Sequence, residues 1–191
     1  MEAAPVKIAL LGAESTGKTQ LALALAAHCC DQGRTALVVP EVLRQWCDRE
    51  GRTPRLHEQE SIAREQARLV VEAQVSDWLI ADTTPLMIAI YSEMLFGDSS
   101  LYEFAFEHQR RYDLTLVTGL DLPWVADGHQ RDGPHVREPV DALVRAALGR
   151  AGVPYRVVYG SGADRLANAL AAIAESPIAP SMSPEAGRPQ R

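Results

Sequence analysis

The feature that most constrains the fold of this chain is a glycine-rich turn, Gly12–Thr19, set between an apolar run and a helix-forming stretch. Its sequence, Gly-Ala-Glu-Ser-Thr-Gly-Lys-Thr, matches the pattern G-x-x-x-x-G-K-[ST] at every fixed position. The preceding run Val6–Leu11 predicts a buried strand, and the Ala- and Leu-rich stretch Lys18–Asp31 predicts a helix. This order indicates a phosphate-binding loop for a nucleoside triphosphate; the alternative is a chance match in a glycine-containing turn.

The fixed residues of this turn have separate physical roles. Glycines let the backbone curl so that successive N–H groups face phosphate oxygens, and the helix that begins near Lys18 adds its positive end. We expect Lys18 to reach the β- and γ-phosphates of ATP and the Thr19 hydroxyl to coordinate Mg²⁺. The predicted nucleotide-binding residues are Gly12, Glu14, Ser15, Thr16, Gly17, Lys18 and Thr19.

Strand and helix patterns alternate along the whole chain. Strands are predicted over Val6–Leu11, Thr35–Val39, Trp78–Ala81, Leu114–Val117 and Tyr155–Tyr159. Helices are predicted over Lys18–Asp31, Glu41–Glu50, Leu56–Asp77, Pro85–Phe96, Leu101–Arg111, Pro139–Ala151 and Asp164–Ala174. The alternation predicts an α/β fold, a P-loop three-layer sandwich with a five-stranded parallel sheet. Residues 1–175 would form one P-loop domain, and residues 176–191, rich in Pro and Ser, a disordered tail.

Composition argues against several classes of protein. The 191 residues suit one domain, and a net charge of −6 gives no positive field to steer a nucleic acid. No apolar run reaches the roughly 18 residues of a transmembrane helix, and the N-terminus is too short and acidic for a signal peptide. The three cysteines, Cys29, Cys30 and Cys47, make neither a disulfide framework nor a zinc motif. We therefore expect a cytoplasmic protein without nucleic-acid or membrane partners.

Two acidic residues are candidates for the region of the metal and the phosphates. Asp82 directly follows the strand Trp78–Ala81, where a carboxylate would help to hold Mg²⁺; the alternative is a cap for the helix beginning near Pro85. Glu14 lies inside the phosphate loop, where a negative charge is unfavourable unless it meets a metal or a substrate hydroxyl. We interpret Glu14 as a functional group rather than a solvent-facing loop residue.

A third acid follows the second strand. Because the loops after parallel strands meet at one edge of the sheet, Glu41 would lie on the ligand side as a general base or a ribose anchor. The alternative is an ordinary acid at the start of a helix. Arg44 lies one helical turn later and could face the same cleft, although a solvated arginine is the commoner case.

The stretch Gly119–Arg137 contains Gly, Pro, Asp and charges of both signs without periodicity, which predicts a long loop. A structureless loop of this length suggests a lid. Arg131 and Arg137 would stabilise charge on a transferring phosphoryl group, the alternative being solvated charges on a mobile loop. Of the tryptophans, we expect Trp124 at the site and Trp78 in the core.

Several segments of the chain together resemble a known family. They are Gly12–Thr19, Pro40-Glu41, Ile80–Thr84, Tyr112–Leu114, Pro123–Gly128 and Gly152–Tyr155. From Val6 to about Ala174 the chain is similar to the nicotinamide riboside kinase domain of the bifunctional NAD-biosynthesis regulators, and to the wider set of small AAA-type P-loop ATPases. The resemblance implies that the phosphate-loop strand is central in the sheet and that ATP phosphorylates the 5′-hydroxyl of nicotinamide riboside.

The resemblance also implies roles for single residues. The ATP and Mg²⁺ residues would be Lys18 and Thr19, the acceptor and metal positions Glu41 and Asp82, and the lid residues Trp124 and Asp127. The chain departs from the family pattern at Thr84, where the family often has Asp, and at Arg131, which lies one residue late.

We therefore predict a kinase that transfers the γ-phosphoryl group of ATP to a nucleoside-like acceptor, with nicotinamide riboside as the leading candidate. Two alternatives stay open. One is a regulatory ATPase in which hydrolysis moves the Gly119–Arg137 loop. The other is a nucleoside monophosphate kinase, in which Arg44, Arg49 and Arg52 would bind the phosphate of the acceptor.

Overall fold

The computed structural model describes residues 5–73, 77–125 and 133–177, and its centre is a five-stranded sheet. The strands are β1 (Val6–Leu11), β2 (Ala36–Val39), β3 (Trp78–Asp82), β4 (Leu114–Thr118) and β5 (Arg156–Val158). Every neighbouring pair is parallel, and the order is β2-β3-β1-β4-β5. This arrangement confirms the predicted sheet and puts β1, which leads into the phosphate loop, at its centre.

Seven α-helices and one short 3₁₀ helix, Pro134–Val136, occur in the described part of the chain, and the α-helices cover both faces of the sheet. They are α1 (Lys18–Asp31), α2 (Val42–Glu50), α3 (Leu56–Glu72), α4 (Pro85–Phe96), α5 (Tyr102–Gln109), α6 (Arg137–Ala151) and α7 (Gly162–Ala174). Because helices cover both faces, β3 and β4 are buried at every residue, as is expected of parallel strands between two helical layers. None of these helices combines the length and the apolar character that crossing a membrane requires.

Two hydrophobic clusters hold the layers together. Side chains of a strand alternate between its two faces, so Leu10 enters one cluster and Leu11 the other. The cluster that contains Leu10 packs the sheet against α1 and α7, with Leu25 fully buried in it. The cluster that contains Leu11 packs the opposite face against α2–α6, and α4 is buried through most of its length there. The three-layer architecture follows from this alternation.

Some element boundaries differ from the expected ones. Helix α3 ends at Glu72, and Asp77 accepts hydrogen bonds from the backbone N–H and the hydroxyl of Thr35, at 2.7 and 2.9 Å. Helix α6 begins at Arg137, since a proline in the first helical turn removes no intrahelical bond and Pro139 is tolerated there. Ser176, expected in the tail, is buried, and its hydroxyl donates to the Ile173 carbonyl at 2.6 Å. The rest of the predicted tail, from residue 178, lies outside the described residues.

Candidate functional site

The phosphate loop curls because several of its residues adopt left-handed or related backbone conformations. The φ angles are +143° at Gly12, +53° at Ser15 and +76° at Gly17. A Cβ atom on Gly12 would lie 2.3 Å from the Thr118 hydroxyl, which no side chain could tolerate. Gly12 is therefore required both by its φ angle and by the close approach of β4.

A chain of hydroxyl groups fixes the loop to the central strands. Thr16 Oγ1 donates to the Ala13 carbonyl at 2.7 Å and lies 2.6 Å from Thr118 Oγ1. Thr118 Oγ1 in turn donates to the Leu11 carbonyl at 3.2 Å. The three contacts are buried and share the two hydroxyl hydrogens, and together they hold the loop against β1 and β4.

The end of α1 that meets the loop is open to a ligand. Gly17 is its N-cap and offers no side-chain acceptor, so the first N–H groups of the helix are not capped from within it. Lys18 Nζ folds back onto the loop and donates to the carbonyls of Gly12, at 2.9 Å, and Ala13, at 2.7 Å. Uncapped N–H groups, the helix dipole and an ammonium group together form an anion site at the end of β1.

The expected magnesium residues are in contact. Thr19 Oγ1 donates to Asp82 Oδ2 at 2.5 Å, while Asp82 Oδ1 is buried and has no hydrogen-bond partner among the described residues. Thr84 caps α4 through its hydroxyl, which accepts from the backbone N–H of Leu86 at 3.2 Å. The N-cap alternative for Asp82 is thus wrong, and Thr84, the departure from the family pattern, takes that role.

The donor set at Asp82 fits Mg²⁺. A buried carboxylate oxygen without a partner and a neighbouring hydroxyl are hard oxygen ligands, and Mg²⁺ is commonly held by one or two carboxylates together with substrate phosphates. No group of three or more His, Cys, Asp or Glu side chains in the described part of the chain could hold a metal without such phosphates. Thr83, next in the chain, has a φ of +74°, a strained conformation for a β-branched residue.

Glu41 lies between β2 and α2, as expected, and faces the phosphate loop. Its side chain is only 11% exposed, and it accepts from Arg44 Nε at 3.3 Å. Burial raises the pKa of the Glu41 carboxyl above its usual range, while the positive charges of Lys18 and Arg44 oppose the rise and Asp82 adds to it. A carboxyl with a raised pKa inside a cleft is suited to proton transfer.

One cavity of about 460 Å³ joins the phosphate loop, Lys18, Thr19 and Glu41, and Asp82 lies behind Thr19 without lining it. Its walls come from the loops after β1, β2 and β4, as the parallel sheet predicts, and from α4. The residues that line it are Glu14, Ser15, Thr16, Gly17, Lys18, Thr19, Gln20, Glu41, Arg44, Tyr91, Leu122, Pro123 and Val125. Tyr91 is a wall residue that the sequence interpretation missed, because a half-buried Tyr in an apolar helix carries no distinguishing pattern.

The start of the expected lid contacts the phosphate loop. Ser15 Oγ donates to the Val125 carbonyl at 2.7 Å and accepts from the Val125 N–H at 3.3 Å. Pro123 and Val125 line the cavity, whereas Trp124 between them does not. The indole Nε1 of Trp124 is buried without a hydrogen-bond partner in the described ranges.

The other predicted lid residues have different locations. Arg137 is buried at the start of α6 and donates to the Leu120 carbonyl at 3.4 Å, away from the cavity wall. Its predicted role at a phosphoryl group stays a prediction. Asp127 and Arg131 lie outside the described residues. Trp78, expected in the core, is buried on β3.

A second cavity, of about 200 Å³, lies on the other side of the phosphate loop and was not anticipated. Gly17, Gln20 and Leu122 border both cavities, and Gly162 and Arg165 line only the second one. Helix α7 starts at the carboxyl end of β5, so the parallel order alone could have placed its first turn here. The sequence does not predict that Arg165 is buried, because a charged residue in the first turn of a helix is usually exposed.

Comparisons with known proteins agree with this geometry. A family model for an AAA domain matches residues 7–165. Among solved structures, a NadR protein in complex with NAD and AMP-PNP is similar with a TM-score of 0.68 and 14% identity, over 90% of this chain and 49% of that chain. A NadR protein in complex with NR is similar with a TM-score of 0.70 and 16% identity, over 98% of this chain and 52% of that chain.

A shorter protein is also similar. The structure of deoxyadenosine kinase from M. mycoides, with the products dCMP and a flexible dCDP bound, has a TM-score of 0.58 and 14% identity, over 88% of this chain and 98% of that chain. At these identities the likeness shows the fold alone, and the chain spans about half the length of the two NadR proteins. No curated protein matches the chain.

The family match and the loop geometry cover the same part of the chain. The matched range begins in β1, includes the phosphate loop and the pair Thr19–Asp82, and ends at Arg165 beside the second cavity. Because this range makes up most of the sequence, the chain belongs to this AAA domain family of nucleotide-binding P-loop proteins.

Proposed function

We propose that the chain transfers the γ-phosphoryl group of ATP to a hydroxyl group of a small nucleoside-like acceptor, with nicotinamide riboside as the first candidate. The observation that carries the proposal is the position of Glu41. A buried carboxyl with a raised pKa shares one cavity with the phosphate loop and Lys18. A carboxyl in this position can accept a proton from the hydroxyl group that attacks the γ-phosphoryl group, which is the role that a kinase of this type needs.

The proposed reaction is largely one of positioning and charge stabilisation. The N–H groups of the loop and Lys18 would bind the phosphate chain, and Thr19 and Asp82 would hold Mg²⁺. Bound Mg²⁺ neutralises phosphate charge and orients the phosphate oxygens. Glu41 would accept the proton of the acceptor hydroxyl as its oxygen bonds to the γ-phosphorus and the bond from that phosphorus to the bridging oxygen breaks, releasing ADP.

The charges on the cavity wall favour an acceptor without a phosphate group. Of the three arginines considered for a monophosphate site, Arg44 lines the cavity and is paired with Glu41. Arg49 pairs with Glu50 at 3.0 Å on the surface. Arg52 does not line the cavity. It pairs with Glu58 at 2.7 Å and lies 4.8 Å from the centre of the Trp46 ring.

Two further observations support a nucleoside with a flat base. Tyr91 adds an aromatic side chain to a wall that also carries Glu14 and Glu41, and these carboxylates suit hydroxyl groups. The similar NadR protein was crystallised with NR, and a protein of the same fold is a deoxyadenosine kinase. A positively charged nicotinamide ring would also be favoured beside two carboxylates.

The contact between Ser15 and Val125 favours a second candidate, a regulatory ATPase. Ser15 lies in the loop that would receive the phosphates, and its hydroxyl is engaged with the backbone of Val125. Binding or hydrolysis of a nucleotide could therefore change the position of residues 122–125. The absence of any phosphorylated acceptor during ATP turnover would favour this function over a kinase.

The test is an activity screen with ATP and Mg²⁺ against nicotinamide riboside, the common nucleosides and the nucleoside monophosphates, with products identified by mass spectrometry. We expect a phosphorylated nucleoside and no product from the monophosphates. A matched pair of variants locates the site: Glu41→Gln should lose phosphoryl transfer, and Glu50→Gln, at the exposed end of α2, should retain it. Activity on monophosphates alone would refute the acceptor class.

A further inference from the structure

Arg165 is a buried arginine that joins three separate loops. Its side chain is 4% exposed, and its guanidinium group contacts one residue from each loop. Nε donates to the Gly160 carbonyl at 2.7 Å, Nη2 donates to Asp121 Oδ1 at 2.6 Å, and Nη1 donates to the Thr16 carbonyl. These acceptors lie after β5, after β4 and within the phosphate loop.

The partner of Arg165 is itself fixed by a second bond. Asp121 Oδ2 accepts from the backbone N–H of Gly160 at 2.6 Å, so both carboxylate oxygens are used. A buried charge is costly unless it is paired and hydrogen-bonded, and here the charge of Arg165 meets one carboxylate and two carbonyls. The sequence thus maintains a buried cation against the back of the phosphate loop.

The bond to Thr16 acts on a peptide that belongs to the phosphate site. In a planar trans peptide the C=O and N–H groups point in opposite directions, so the Gly17 N–H points away from Arg165. Gly17 lines the main cavity and caps α1, where anions bind. A cation on the carbonyl both fixes the plane of this peptide and strengthens its N–H as a donor, because hydrogen-bonded groups polarise one another.

We propose that Arg165 is a positioning residue for the phosphate chain of the nucleotide, acting through the Thr16–Gly17 peptide, and that Asp121 holds it in place. The inference rests on the nucleotide-binding part of the proposed function and is independent of the acceptor. Because the effect is on phosphates, it extends to a ligand that has no base. This separates it from a role of Arg165 in the second cavity, whose wall it also forms.

The test measures the binding of ATP and of inorganic tripolyphosphate, each with Mg²⁺, by calorimetry. Arg165→Met should lower the affinity for both ligands by about tenfold, which is the order of magnitude expected for the loss of one hydrogen bond from a charged group. Asp121→Asn keeps the arginine but weakens its anchor, and should weaken both by a smaller factor. The double variant should bind no more weakly than Arg165→Met alone, because both changes act through one contact. Arg165→Lys, which keeps the charge, should recover part of the loss.

The control is Arg145→Met, which removes an arginine paired with Asp141 at 2.7 Å in α6 and bordering neither cavity. It should leave both affinities unchanged. A lowered melting temperature with unchanged tripolyphosphate binding, or weaker binding of ATP alone, would overturn the inference. If Arg165→Met does not fold, Asp121→Asn decides, and unchanged tripolyphosphate binding by it overturns the inference. Failure of the unmodified protein to bind either ligand would instead refute the proposed function, and with it this inference.

Discussion

Thr19 Oγ1 and Asp82 Oδ2 are 2.5 Å apart, although 63 positions separate the two residues in the chain. The sheet produces this contact, because β1 and β3 are neighbours and the register pairs Leu10 with Asp82. The end of β3 is therefore level with the start of the phosphate loop. The carboxylate and the hydroxyl are in direct contact, so a divalent cation would meet two oxygen ligands that lie side by side.

This contact predicts a change in magnesium dependence. Asp82→Asn removes the charge of the buried oxygen and should raise the Mg²⁺ concentration needed for half-maximal turnover by about tenfold or more. Thr19→Ser keeps the hydroxyl and should change this Mg²⁺ concentration little. Titration of activity with Mg²⁺ at saturating ATP measures both. An Asp82→Asn protein with an unchanged magnesium requirement would argue against a metal role for this residue.

A second prediction concerns Lys18. The chain has only two lysines, Lys7 and Lys18, so the two substitutions Lys18→Ala and Lys7→Ala form a matched pair. Lys18→Ala should reduce turnover by about 10²–10³-fold, since it removes the ammonium group from the phosphates. Lys7→Ala, in β1, should leave turnover near its original value. Steady-state kinetics measure the difference, and circular dichroism checks that both variants fold.

The sequence predicts the sheet and the phosphate loop because their signals are local. Apolar runs mark the strands, and glycines at positive φ mark the loop, so Gly12–Thr19 and the parallel order are both correct. The role of Asp82 needed the structure, since a residue between a strand and a helix could serve either as a cap or as a ligand. The hydroxyl of Thr84, which accepts from the Leu86 N–H, excludes the cap for Asp82, and the metal role of Asp82 stays a prediction.

Sequence reasoning was weaker where function depends on burial across the fold. Arg165 carries the same signal in the sequence as any charged residue in the first turn of a helix, and only the packing of three loops makes it a buried cation. Trp124 illustrates the reverse case. Its type and loop position favoured the cavity, but its neighbours Pro123 and Val125 form the wall.

A third prediction concerns pH. As the proposed general base, Glu41 would act in its carboxylate form, and burial raises its pKa. The value of kcat/KM should therefore fall as pH is lowered through a value above the ordinary pKa of glutamate, about 4.3. Glu41→Gln should reduce kcat by about 10²-fold or more and abolish this acidic limb. Rates between pH 4.5 and about 8 test both statements. An acidic limb that persists unchanged in Glu41→Gln would assign it to another group.

The last prediction compares two glycines that differ in what a methyl group would meet. Gly12→Ala must accept a φ of +143° and a Cβ 2.3 Å from Thr118 Oγ1, so it should lower the free energy of unfolding by more than about 2 kcal/mol and weaken ATP binding. Gly149 lies inside α6, and a Cβ atom there would have no other atom within 4 Å. Gly149→Ala should therefore raise the free energy of unfolding by about 0.5–1 kcal/mol without affecting ATP binding. Urea unfolding and calorimetry measure the two effects. Equal stability of the two variants would mean that the phosphate loop adopts another conformation, because Gly12 differs from Gly149 both in its positive φ angle and in its close contact with β4.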